Sequence, residues 1–188
     1  MRISGGQAKG IPITIGKARQ VRPATDRTRE AVFSSLGEHV PGSRFLDLFA
    51  GSGSYGLEAL SRGAAGGLFV EKDTRALEAL KTNLRSVMKS LGRGDQEAPG
   101  VIRRDVLRFQ SERAFTLVFM DPPYALARER GPALLDLARG LLHRKKEALL
   151  VYELPGDLPL PLIGWECRRR IGKSGRNEPA ILILAPES

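Results

Sequence analysis

At 188 residues with 41% apolar side chains, the chain suits one α/β domain with a small appendage and a substantial core. No apolar run approaches bilayer-spanning length and the start lacks the apolar stretch of a signal peptide, while the single cysteine and two separated histidines (His39, His143) offer neither a disulfide nor a metal cluster; a cytoplasmic, metal-free protein is expected. The formal charge of +9 is concentrated in two segments. Arg2, Lys9, Lys17, Arg19, Arg22, Arg27 and Arg29 face only Asp26 and Glu30 near the start, and Arg168, Arg169, Arg170, Lys173 and Arg176 cluster near the end. Two separated basic segments fit a polyanion better than a small acid, through salt-sensitive phosphate contacts.

In chain order, residues 1–23 are rich in glycine and basic residues, with Ile11, Ile13 and Ile15 alternating as in a strand. They predict a small basic β arm, followed by a main domain over 24–188. Thr25 or Asp26 can cap a helix whose apolar face holds Val32, Phe33, Leu36 and Val40. Strands are predicted near 44–49, 67–71, 100–104, 115–121 and 148–153. Helices near 55–62, 73–91 and 131–143 alternate with them, and a strand pair near 165–171 and 179–185 closes the chain. Such alternation predicts a mostly parallel sheet covered by helices on both faces.

The strand ending at Phe49 and Ala50 runs into Gly51-Ser52-Gly53-Ser54-Tyr55-Gly56, where a helix begins. A strand, a glycine-rich turn and a helix bring backbone amides close to a cofactor. The turn also reads as G-x-G-x-x-G, a dinucleotide pattern. Asp47 on the preceding strand favours a cationic cofactor over a dinucleotide. A pyrophosphate gains nothing from a nearby carboxylate, whereas the ammonium and sulfonium of S-adenosylmethionine do. Glu71 follows the turn by about 20 residues, where an acid can grip ribose hydroxyls; pairing with Lys72 or capping the next helix is the alternative. Asp105 can accept from an adenine amine or cap the segment starting at Val106.

Asp121-Pro122-Pro123-Tyr124 ends the apolar run from Phe115 to Met120. Two prolines stop the strand. They leave a carboxylate, carbonyl acceptors and an aromatic ring together, a set that fits a planar heterocycle with an exocyclic amine.

The segments Asp47 to Gly53, Gly56 to Ala64, Val70 to Asp73 and Asp121 to Tyr124 resemble the RsmD family, and Arg22 to Glu30 is similar to that family's Arg-Pro-x-x-Asp-Arg-x-[Lys/Arg]-Glu signature. The resemblance runs from Met1 to about Glu153. It departs at residues 171–177, where the family's Tyr-Gly-x-Thr-like turn is missing. It implies a Rossmann-like class I methyltransferase fold with a mostly parallel seven-stranded sheet. It also implies transfer of a methyl group from S-adenosylmethionine to N2 of guanine 966 in 16S ribosomal RNA. The substrate would be that RNA, within a 30S subunit or an assembly intermediate, and the enzyme a monomer. The implied catalytic set is Asp121, Pro122, Pro123 and Tyr124. Asp47, Phe49, Ala50, Gly51, Gly53, Glu71, Lys72, Asp105, Val106 and Asp121 would hold the cofactor, and Lys9, Arg22, Arg27 and Arg29 the RNA. The competing readings are adenine N6 or a protein glutamine as acceptor, a nicotinamide-dependent oxidoreductase, and a non-catalytic RNA-binding module.

Overall fold

The computed structural model describes residues 1–15, 25–143, 147–175 and 178–187. Seven strands form one sheet in the order β3-β2-β1-β4-β5-β7-β6. They are β1 (Arg44–Leu48), β2 (Gly66–Glu71), β3 (Gly100–Arg103), β4 (Leu117–Met120), β5 (Leu149–Pro155), β6 (Trp165–Gly172) and β7 (Pro179–Pro186). The first five are parallel; β7 runs antiparallel between β5 and β6. Strand order reverses between β1 and β4, which opens a crevice beyond their C-terminal ends, where ligands of such sheets bind.

Because side chains alternate along each strand, the sheet buries two cores. One face holds Phe45, Phe69, Phe119, Val151 and Ile183 against α1 (Asp26–Leu36), α2 (Ser54–Ser61) and α3 (Thr74–Ser90). The other holds Leu46, Leu48, Val118, Leu150 and Tyr152 against α4 (Tyr124–Leu141). The expected Rossmann-like, mostly parallel seven-stranded sheet with helices on both faces is therefore present. Gly56 shows how closely α2 lies on the sheet: a Cβ there would sit 2.3 Å from Phe69 and 2.6 Å from Phe45.

Caps set the helix starts. Thr25 Oγ1 accepts the Thr28 N–H at 3.1 Å, and Asp73 accepts that of Ala76 at 2.8 Å. The largest departure from expectation is α4, which begins at Tyr124 rather than near residue 131, with Pro123 as its N-cap. The first N–H groups of a helix have no intrahelical acceptor, so prolines at its entrance lose nothing. The helix kinks at Arg130 (φ −125°, ψ 15°) just before Pro132, which lacks the donor and crowds the preceding turn.

The N-terminal segment is docked rather than free. Ile3 N–H donates to the Ile11 carbonyl at 2.9 Å and Ile13 N–H to that of Met1 at 2.8 Å. Ile3, Ala8 and Ile13 are buried in the α1–α3 core. The rest of the expected arm, residues 16–23, lies outside the described residues.

Candidate active site

Strand register assembles the site. Leu48 pairs with Val70 and Met120, and Met120 with Tyr152. One residue further along each strand, Glu71, Phe49, Asp121 and Glu153 reach the crevice as a single row. Strands lie about 4.8 Å apart, so Asp121 and Glu153 are next-strand neighbours and Glu71 is two steps from Asp121.

Chain reversal after β1 is abrupt. Phe49 has φ 58°, an unusual value for a bulky residue, and Gly51 and Gly53 also have positive φ, 55° and 80°. Two carboxylates hold the turn. Glu71 Oε2 accepts the Gly51 N–H at 2.8 Å while its Oε1 accepts those of Lys72 (2.7 Å) and Asp73 (2.9 Å). Asp47, buried beneath the turn, accepts the Gly56 N–H at 2.9 Å through Oδ2 and so fixes the first turn of α2. A carboxylate has about four acceptor positions; Glu71 uses three on the backbone and retains one for a hydroxyl. Of the alternatives for Glu71, contact with Lys72 is present through the Lys72 backbone N–H, while the cap of α3 is Asp73. Ala50 is buried, and its N–H donates to the Val70 carbonyl at 3.1 Å. Lys72 is exposed. Asp105 caps the 3-10 turn Val106–Arg108, accepting the Leu107 N–H at 3.0 Å, and Val106 is buried beside it.

Across the crevice, Asp121 is half-buried, Pro122 buried and Pro123 exposed. The Pro123 carbonyl accepts the Ala127 N–H at 3.0 Å as the first bond of α4. Among the described residues no backbone N–H donates to the Pro122 carbonyl, which leaves it as the acceptor of the motif. Two neighbours escaped the sequence reading. Glu153 is 2% exposed and accepts the Tyr55 hydroxyl at 2.9 Å; Tyr55 stacks on Phe119 at 5.4 Å between centroids. Glu153 follows the apolar run 148–152 just as Asp121 follows the run 115–120, and that repeated pattern is its signal in the sequence, although β5 continues to Pro155.

Burial and these acids together act on the tyrosines around the crevice. Burial first, then Glu153, Asp121 and Glu178, push the Tyr124 hydroxyl up to about 12. Burial, followed by Glu153 and Asp121, raises Tyr55 well above the phenol range, and burial raises Tyr152. All three tyrosines of the chain are thus held neutral. Above about pH 10 the unfolded chain loses phenolic protons that the folded protein retains, so stability falls as pH rises towards 12. Ultraviolet titration of the folded protein is expected to show almost no phenolate at about pH 10, where the denatured chain is half ionised. Half-ionised tyrosine in the folded protein at that pH would contradict the arrangement.

The expected RNA-contacting residues separate. Arg22 lies outside the described residues, while Lys9 and Arg27 are exposed. Arg29 requires a correction: it is 1% exposed and cannot grip a phosphate from solvent. Its guanidinium donates to Asp26 at 2.9 Å, to the Arg2 carbonyl at 2.5 Å and to fully buried Glu58 at 3.4 Å. Glu58 also accepts from Ser4, Gly5 and Arg62 at 2.8 Å, so this cluster locks the N-terminal segment to α1 and α2.

A second lock joins that segment to the glycine turn. Buried Asn83 accepts the Thr14 N–H at 2.9 Å and donates to the carbonyls of Thr14 (2.9 Å) and Ser52 (3.0 Å). Asn83→Ala leaves these backbone groups unpaired, an expected loss of about 1–3 kcal/mol. Cofactor affinity should fall as well, because Ser52 is part of the turn. Calorimetric titration checks this, and unaltered affinity would show that the turn holds its shape without Asn83.

The comparisons with known proteins agree with this geometry. The model of a family described as conserved hypothetical protein 95 matches residues 1–178. The chain belongs to the RsmD family. Ribosomal RNA small subunit methyltransferase D of Escherichia coli strain K12 is 33% identical over 177 residues, covering 90% of this chain and 83% of the relative. Its Haemophilus influenzae namesake is 35% identical over 165 residues, covering 85% and 81%. Among solved structures, the yhhF protein of Escherichia coli superposes with a TM-score of 0.80 at 31% identity, covering 100% of this chain and 98% of that one. As a family member the chain is an S-adenosylmethionine-dependent methyltransferase. The residues present fit that cofactor. The strained strand end and glycine turn open a crevice at the sheet's switch point, with Asp47 below and Glu71 and Asp105 at neighbouring strand ends. Three acids near the crevice suit a cationic cofactor and not a pyrophosphate.

Proposed function

We propose that the chain methylates the exocyclic N2 amine of a guanine in small-subunit ribosomal RNA, at position 966 in the usual rRNA numbering. The observation that carries this reading is the juxtaposition of Asp121-Pro122-Pro123-Tyr124 with the glycine turn across one crevice. It is supported by relatives that bear the name ribosomal RNA small subunit methyltransferase D.

S-adenosylmethionine supplies the methyl group. The chain's residues act on the acceptor. An aromatic amine is a poor nucleophile because its lone pair is delocalised into the ring. Hydrogen bonds from its two protons to the Asp121 carboxylate and the Pro122 carbonyl localise that pair and aim it. Asp121 then receives the proton that the methylated nitrogen sheds. Tyr124, neutral over the working pH range, stacks on the base, which enters unpaired or flipped out. Asp47 and Glu71, with Asp105 and Val106, hold the cofactor together with the backbone of Phe49, Ala50, Gly51 and Gly53; Lys72 flanks them. Lys9 and Arg22 in the 1–23 segment, joined by Arg27, bind the RNA backbone, and residues 24–188 form the methyltransferase unit. The enzyme works as a cytoplasmic monomer without a metal, on a 30S subunit or an assembly intermediate.

The test is transfer of labelled methyl from S-adenosylmethionine to 16S RNA, naked and within undermethylated 30S subunits, followed by nucleoside analysis. N2-methylguanosine at one site is expected. Methyladenosine would overturn the guanine assignment and keep the chemistry, whereas no transfer to either RNA substrate would overturn the ribosomal reading.

A further inference from the structure

Strand β6 closes one edge of the sheet and is exposed from Glu166 to Arg170. It carries three consecutive arginines, and Lys173 follows it, also exposed. A register shift between Cys167 and Arg169 leaves Arg168 as the extra residue. Such a bulge bends the strand and re-aims its side chains. Arg169 then lies opposite Ile183 and Arg170 opposite Leu182, on alternate faces of the edge.

The direction of β6 matters more than its charge. It is antiparallel to β7, which is antiparallel to β5, so its C-terminal end lies at the catalytic end of the sheet. Ile171 pairs with Ile181, and Ile181 with Glu153, the next-strand neighbour of Asp121. Three strand spacings, about 14 Å, therefore separate this edge from the acceptor site. Two contacts confirm the approach. The Arg170 guanidinium donates to the Gly156 carbonyl at 2.6 Å, just beyond the catalytic end of β5. Glu178, in the β6–β7 connection, accepts the Gly156 N–H at 2.8 Å through its carbonyl. Arg168 is paired with Glu166 at 3.1 Å, but the Arg169 side chain meets no acid among the described residues.

We propose that this edge is a second RNA contact surface, on which Arg169, Arg170 and Lys173 bind consecutive phosphates of the single strand flanking the target base. It rests on the reading of RNA as the substrate. Of the three, Lys173 lies within residues 171–177, where the chain departs from the family pattern. A base held between Asp121 and Tyr124 must continue into backbone on both sides. Arg27 lies on α1, which packs against β6, so the β6 edge extends the basic surface that the exposed Lys9 and Arg27 begin.

The test compares wild type, the triple variant Arg169→Gln/Arg170→Gln/Lys173→Gln, and a control with the same charge loss, Arg75→Gln/Lys81→Gln/Arg85→Gln. The control residues are exposed on α3, which packs on β2 and β3 at the opposite edge. Cofactor affinity establishes that each variant is folded. For the β6 variant, the salt slope of RNA binding should shrink by about 0.7 per lost phosphate contact, roughly two in all. KM for RNA should rise while kcat at saturating RNA is kept; the control should match wild type. Should the triple variant be poorly folded, Arg169→Gln alone is expected to reduce the slope by about 0.7. An unchanged slope and KM, with wild type active on RNA, would overturn the surface and leave the arginines only the role of keeping an edge strand from pairing with another chain. If wild type itself neither bound nor methylated RNA, the substrate reading would fail and this surface with it.

Discussion

Asp121→Ala is expected to lower methyl transfer by at least about 10²–10³-fold, the range typical of losing one preorganised polar contact to a reacting group. Cofactor affinity should stay close to wild type, because the glycine turn is held by Glu71 and Asp47 rather than by Asp121. Single-turnover transfer under saturating cofactor and RNA isolates the chemical step. Asp121→Asn separates the two roles of the side chain. Its carbonyl still accepts a hydrogen bond from the amine but cannot take up the proton, so an intermediate rate that depends on added base is expected. Turnover near wild type in Asp121→Ala would remove Asp121 from the mechanism and shift attention to Glu153, on the neighbouring strand.

Arg29→Ala is expected to destabilise the protein by about 3–5 kcal/mol, the usual result of removing one partner from a buried charge cluster. For a chain of this size that corresponds to a fall in Tm of roughly 6–20 °C. The physical cause is Glu58, fully buried and left with Arg62 and the Ser4 and Gly5 groups alone. The N-terminal segment should loosen with it, since the same carboxylate holds both. Arg29→Lys restores a charge but not the fork that reaches Asp26, Glu58 and the Arg2 carbonyl together, and should recover only part of the loss. Thermal unfolding and RNA binding, measured on the same variant, discriminate between the two roles of this residue. An unchanged Tm with a reduced salt slope would mean that Arg29 faces RNA after all.

That contrast shows what a sequence conveys. Arg27 and Arg29 look alike in a basic segment, yet one is exposed and the other is among the largest fully buried side chains. Helical periodicity could have flagged the difference, because Arg29 shares the inward stripe of Val32, Phe33 and Leu36. Its charge concealed it, for an arginine is buried only when a partner waits, and Glu58 lies 29 residues away. The start of α4 was misplaced for a related reason. Proline reads as a breaker, and whether it ends a strand only or also opens a helix depends on the next turn finding a core to pack on.

By itself, the sequence determined the order of strands and helices, the glycine turn, and the acid, two prolines and tyrosine that end β4. Each follows from local chemistry: apolar period, positive φ at glycine, missing donors at proline. Tertiary structure alone decided that Asp121, Glu153, Phe49 and Glu71 form one row, since only strand register aligns residues from four separate strand ends. It likewise decided that Asn83 ties Thr14 to Ser52, and that Tyr55 meets Glu153 across 98 residues of chain. Those contacts form between surfaces that exist only once the sheet has folded, so no local pattern could announce them.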